Sequence, residues 1–151
     1  MPKIAFIGAG SMVFATKLVG DILSFDELND STIALMDIDD HRLEQTARVA
    51  EAMVRNENLD ATVKATTDRA EALEDADYIL NMINIGGTEP FENEIRIPEA
   101  YGVKQSIGDT IGPGGVFRGL RTIPTMLDDV SFGVDIHQRA IEQAPYQRAD
   151  E

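Results

Sequence analysis

Along the chain, short apolar runs alternate with longer stretches in which apolar residues recur every three or four positions. Ile4-Ala5-Phe6-Ile7 is the first run, and Gly8-Ala9-Gly10-Ser11 follows it at once. From Met12 to Leu23, Val13, Val19, Ile22 and Leu23, with the stem of Lys17, suit one face of an amphipathic helix. Thr32 to Met36 reads as a second buried strand, ending at Asp37. Asp39 and Asp40 supply capping carboxylates for a long helix through about Asn56, with Leu43, Ala47, Ala50 and Val54 on one face. Ala61 to Thr66 predicts a third strand, Asp68 to Leu73 a short helix, and Asp77 to Asn84 a fourth strand. The texture then changes. Gly86-Gly87 opens a loop, Pro90 to Tyr101 is expected to be helical in part, and Gly108 to Gly119 is rich in glycine. A last helix is expected to begin near Phe117 and carry Leu120, Ile123 and Leu127, with a bend at Pro124.

The order β-α-β-α-β-α-β belongs to α/β proteins, in which a parallel sheet is covered by helices on both faces. Right-handed crossovers make 3-2-1-4 the expected strand order. The 151 residues amount to one ordinary domain, without internal repeat or linker.

Composition narrows the partners. The chain has 27 acidic against 13 basic residues, a formal charge of −14. Nucleic acid and anionic lipid are poor partners for such a surface, because phosphate binding needs Lys and Arg. No window is long and uncharged enough to span a bilayer. There is no cysteine, which removes disulfides and thiolate metal sites, and a cytoplasmic location is the expectation. Lysine is scarce and the acids are spread along the chain, which fits either a plain solvated surface or the salt-rich cytoplasm of a halophile. On the halophile reading, the melting temperature is expected to rise from dilute buffer to molar KCl as counterions screen the self-repulsion. A melting temperature that ignores salt would count against it.

The sharpest local signal is Gly8-Ala9-Gly10, placed after a strand and before a helix as in a dinucleotide fingerprint. Gly8 allows the tight turn, Gly10 lets backbone approach a pyrophosphate, and the helix N-terminus offers amides and partial positive charge. Val13 stands where the third glycine of that pattern belongs, a position that governs helix–strand packing. Asp37, at the end of the second strand, is placed to bind both ribose hydroxyls and to repel a 2′-phosphate, favouring NAD over NADP; a plain capping role is the alternative. Asn84 lies beside the switch point of the sheet, where it faces a ligand or caps its own turn. In the segment Gly108-Asp109-Thr110-Ile111-Gly112-Pro113-Gly114-Gly115-Val116-Phe117-Arg118, the glycines let backbone close around a ligand, and Asp109 and Arg118 bring opposite charges. A structural Asp–Arg pair is the other reading. Neither His41 nor His137 has an acid or nucleophile at a telling spacing.

Taken together, Lys3 to Ser11, Ala34-Leu35-Met36-Asp37-Ile38-Asp39, the Gly108 to Gly115 loop and Phe117-Arg118-Gly119-Leu120-Arg121-Thr122-Ile123-Pro124 resemble glycoside hydrolase family 4, in its alpha-galactosidase and alpha-glucosidase branch. The resemblance covers about Met1 to Leu127, and the Asp-Thr-Ile-Gly-Pro-Gly-Gly loop carries it. It implies a Rossmann-like doubly wound parallel sheet, incomplete relative to the family, with an NAD-binding domain over 1–127 and a divergent tail over 128–151. It also implies an unusual hydrolysis of an alpha-glycoside: oxidation of the sugar C3 hydroxyl with tightly held NAD, loss of the acidified C2 proton, elimination of the glycosidic oxygen, addition of water, and reduction. Mn2+ or another divalent metal steadies the enolate. By the same resemblance Gly8, Gly10, Ser11 and Met12 form the pyrophosphate turn, Asp37 holds the adenosine ribose, Asn84 lies near the nicotinamide, and Asp109 and Arg118 face the sugar. Self-association into homo-oligomers is implied as well.

The family's metal-binding Cys and His, and its general acid and base, lie beyond the nucleotide domain. This chain has no cysteine, and from about Asp128 it departs from the family pattern. A truncated or frameshifted chain that retains nucleotide binding is therefore the expectation. The alternatives are an NAD-dependent hydroxy-acid dehydrogenase of the lactate/malate type and a free-standing NAD-binding module.

Overall fold

The computed structural model describes residues 1–105 and 111–143. The elements run β1 (Lys3–Ile7), α1 (Met12–Leu23), β2 (Thr32–Met36), α2 (Asp40–Asn56), β3 (Thr62–Thr66), α3 (Arg69–Leu73), β4 (Tyr78–Asn81), α4 (Thr88–Ala100) and α5 (Pro113–Gln143). The four strands form one parallel sheet in the order β3-β2-β1-β4, the order expected from right-handed crossovers. The described chain divides into two units, one of Met1–Ile83 with the stretch from Gly133 onward and one of Asn84–Phe132.

In the first unit the central strands are apolar because both faces are covered. Ile4, Ala5, Phe6 and Ile7 of β1 and Ile33, Ala34, Leu35 and Met36 of β2 are buried. Ala15, Val19 and Leu23 turn the buried face of α1 to this core, and Leu43, Ala47 and Ala50 do so for α2. Helix starts follow the acids. Asp39 accepts from the Arg42 amide at 3.1 Å, and Asp68 from the Ala70 amide at 2.8 Å, each satisfying a first-turn donor. Lys3 Nζ donates to the carbonyls of Glu71 and Glu74 at the end of α3. At the sheet's edge, Tyr78 and Ile79 of β4 are exposed.

Register decides where the site lies. Ile7 pairs with Met36 on one side and with Asn81 on the other, so β1, β2 and β4 stop at one level. Gly8, Asp37 and Met82 begin just beyond it.

Two boundaries differ from expectation by three residues or more. The fourth strand ends at Asn81 rather than Asn84, because the Asn81 side chain accepts from the Ile83 amide at 3.1 Å and turns the chain out of the ladder. The last helix starts at Pro113 rather than Phe117. Proline is pre-set for the first helical position, and the Val116 amide already bonds the Gly112 carbonyl at 3.1 Å. The helix continues through Pro124 and past position 128 to Gln143. Val116, Leu120, Ile123 and Leu127, spaced four, three and four residues apart, all lie exposed along α5.

Candidate functional site

Gly8 has φ +90, a conformation glycine adopts without cost. A side chain there would find its Cβ 3.0 Å from the Ile83 nitrogen and 3.0 Å from the Met82 carbonyl carbon, both backbone. The amides of Gly8 and Ala9 both donate to the Met36 carbonyl at 2.9 Å, fixing the turn over the end of β2. From α2, the buried Thr46 hydroxyl donates to the Ala9 carbonyl at 2.9 Å, a support that nothing in the fingerprint announces.

Gly10 meets Asp37. Its amide donates to Asp37 Oδ2 at 2.7 Å, and the Asp39 amide donates to Oδ1 at 2.9 Å. A Cβ on Gly10 would stand 2.7 Å from Asp37 Oδ2 and 3.1 Å from Arg42 Cβ, so only a bare backbone fits beneath the acid. Each carboxylate oxygen accepts one protein bond and keeps a lone pair for a further donor. Two vicinal hydroxyls match that pair of acceptors.

Helix α1 opens without a side-chain cap: Ser11 makes no capping bond, and the first intrahelical bond runs from the Ala15 amide to the Ser11 carbonyl at 2.8 Å. The amides of Met12, Val13 and Phe14 therefore come before the helical ladder, where an anion is favoured by donors and dipole together. Val13 is 79% exposed and Phe14 66% exposed, so the residue in place of the third glycine points to solvent rather than into the helix–strand contact. Ala9 and Ala15, both fully buried, provide the close approach. Ile38, just after Asp37, is 91% exposed.

The second unit holds the other predicted residues. Asn84 is exposed in the connection from 82 to 87, three residues past the last β4 position instead of at its tip. Arg118 lies inside α5, because the helix begins five residues before it. Asp109 lies outside the described residues. Gln105 is the residue sequence reasoning missed. Its amide nitrogen donates to the Ile111 carbonyl at 2.9 Å, and its carbonyl oxygen accepts from the Gly114 amide at 3.3 Å, capping the start of α5. Gly112, at φ +97, leaves room for it, since a Cβ there would fall 2.4 Å from Gln105 Nε2. Further along, Arg121 joins α5 to α4: its Nε donates to the Ile85 carbonyl at 2.8 Å and its terminal nitrogen to Glu94 Oε1. Glu94 is 1% exposed.

No cluster of three or more His, Cys, Asp or Glu side chains suited to a metal occurs among the described residues. No helix among the described residues is long and apolar enough to cross a membrane.

A parallel sheet ordered 3-2-1-4, with a glycine turn after its first strand and an acid after its second, defines a Rossmann-like α/β domain. More particularly, the chain belongs to family 4 of the glycosyl hydrolases, whose sequence profile matches residues 3–134. It is 48% identical over 126 residues to an alpha-galactosidase of Rhizobium meliloti (strain 1021), covering 83% of this chain and 26% of that protein. It is 43% identical over 129 residues to an alpha-galactosidase of Bacillus subtilis (strain 168), covering 85% and 30%. Among solved structures, a 6-phospho-beta glucosidase from Thermotoga maritima with manganese, NAD+ and glucose-6-phosphate superposes with a TM-score of 0.78 at 27% identity, over 89% of this chain and 32% of that one. The chain thus spans between a quarter and a third of the length of these relatives.

Proposed function

We propose that this chain forms the NAD-binding part of an alpha-glycosidase of family 4, of the alpha-galactosidase type. The observation that carries the reading is the contact between Gly10 and Asp37: a backbone amide 2.7 Å from a carboxylate whose two oxygens still accept, over a glycine that a Cβ would fill. Gly8, Gly10, Ser11 and Met12 form the turn under the pyrophosphate, with the first amides of α1 as donors. Asp37 takes the two adenosine ribose hydroxyls and disfavours a 2′-phosphate. Exposed Ile38 offers an apolar surface next to the ribose site. Asn84 serves the nicotinamide side, and Asp109 and Arg118 the sugar.

When bound, NAD supplies a reversible hydride acceptor. The residues of this chain hold it and orient it. Family membership sets aside the hydroxy-acid dehydrogenase reading. Glycoside cleavage, with a divalent metal such as manganese, draws on the stretch that the longer relatives carry beyond the matched region. Cytoplasmic location and homo-oligomers belong to the same proposal.

Titration calorimetry of the 151-residue chain tests it. Wild type is expected to bind NAD and to prefer it over NADP. Asp37→Ala removes two charge-assisted hydrogen bonds and is expected to weaken NAD by about 10- to 100-fold, with discrimination against NADP shrinking. Equal NAD affinity in the two proteins would refute the assignment.

A further inference from the structure

A dinucleotide brings two phosphate charges to a chain of formal charge −14, and Asp37 adds another negative group at the same place. The N-terminus of α1 returns only about half a charge. Three cations of the first unit are engaged elsewhere: Lys3 caps α3, Arg48 pairs with Glu44, and Arg55 with Glu51. Arg42 is different in position. A Cβ on Gly10 would lie 3.1 Å from Arg42 Cβ and 2.7 Å from Asp37 Oδ2, so the root of the Arg42 side chain and the ribose-binding carboxylate flank the same backbone atom.

We propose that the guanidinium of Arg42 stacks on the adenine of the bound nucleotide, as the cationic wall of the adenosine pocket opposite the apolar Ile38; this rests on the NAD-binding reading above. Asp39 organises the side chain. Its Oδ1 accepts from the Arg42 amide at 3.1 Å, and its Oδ2 lies 3.5 Å from Arg42 Nε. That contact uses the inner edge of the guanidinium and leaves its planar face to a ligand, on a side chain that is 68% exposed. A base whose ribose is held by Asp37 must leave the carboxylate on the side away from the glycine turn, where Ile38 and Arg42 are the adjoining side chains. Guanidinium over an aromatic ring is favourable for its flat, delocalised, weakly hydrated charge, a geometry that lysine cannot reproduce.

Four ligands separate the contributions: NAD, AMP, nicotinamide mononucleotide and NADP, each titrated into wild type, Arg42→Ala and Arg42→Lys. Arg42→Ala keeps the backbone amide that Asp39 caps, so an unchanged melting temperature is expected and serves as the folding control. Its affinity for NAD and AMP is expected to fall about 5- to 30-fold, with nicotinamide mononucleotide unaffected, and Arg42→Lys is expected to recover little of the loss. Full recovery in Arg42→Lys would assign a point charge and overturn the stacking. A loss confined to NADP would place Arg42 on a 2′-phosphate and overturn it too, as would unchanged NAD binding in Arg42→Ala. A wild-type chain that binds neither NAD nor AMP would remove the nucleotide reading itself, and this inference with it.

Discussion

Gly8→Ala is expected to destabilise the first unit by about 2–6 kcal/mol, a large part of the roughly 5–15 kcal/mol that holds an ordinary domain together. Two costs add. At φ +90 any side chain is strained, by about 1–3 kcal/mol. The new methyl also stands 3.0 Å from the Ile83 nitrogen and the Met82 carbonyl carbon. Overpacking of this kind adds about 1–3 kcal/mol, and here the obstacle is main chain, which no rotamer change removes. Nor does the turn have freedom to withdraw: the Gly8 and Ala9 amides are tied to the Met36 carbonyl, and the Met82 amide to the Ile7 carbonyl at 2.9 Å. Urea unfolding followed by circular dichroism reads the loss as a lower midpoint at unchanged slope. A midpoint equal to wild type would mean that the turn relaxes as the bonds around it do not permit.

Arg121→Leu is expected to cost the second unit about 3–5 kcal/mol, because it leaves Glu94 as a buried carboxylate without its counter-charge. The pair is already exacting. Glu94 is 1% exposed, its Oε1 is bonded to Arg121, and its Oε2 is buried without a hydrogen-bond partner among the described residues. The substitution also strips the Ile85 carbonyl of its Arg121 donor. Amide exchange in α4 and α5 is the measurement, since compact units of a chain open separately. Protection is expected to drop sharply in the single variant and to return in large part in Glu94→Leu/Arg121→Leu, where no charge stays buried. Equal protection in single and double variants would show that the ion pair is not what holds the two helices.

Much of the first unit was legible in the sequence because its signals are local. The run from Thr32 to Met36 matches β2 to the residue, and Asp39 and Asp68 cap the helices they precede. Strand order followed from right-handed crossovers together with the doubly wound pattern of dinucleotide-binding sheets. The misplaced features depend on contacts that a linear pattern does not display. Strand-like composition continues through Ile83, yet the Asn81 side chain bends the chain earlier. Val13 reads as part of a buried helical face and points to water instead, since α1 presents Ala15, Val19 and Leu23 to the sheet. Gln105 caps a helix that begins eight residues later, and the partnership of Arg121 with Glu94 spans 27 residues, so neither has a short-range signature. For the site itself, glycine spacing and the acid after β2 marked the turn, while Arg42 became visible only through its distance from Gly10.

The bond from the Gly10 amide to Asp37 joins two recognition tasks in one piece of backbone. A carboxylate waiting for sugar hydroxyls is at the same time the clamp on the loop that waits for phosphates. On the proposed reading, the two ends of the adenosine diphosphate are not read independently. A ligand that draws Asp37 toward its ribose also pulls on the phosphate turn, and a ligand that reshapes the turn re-aims the acid. Mononucleotide fragments would therefore each meet half of a preorganised cradle, and the intact dinucleotide would gain more than the sum of their affinities.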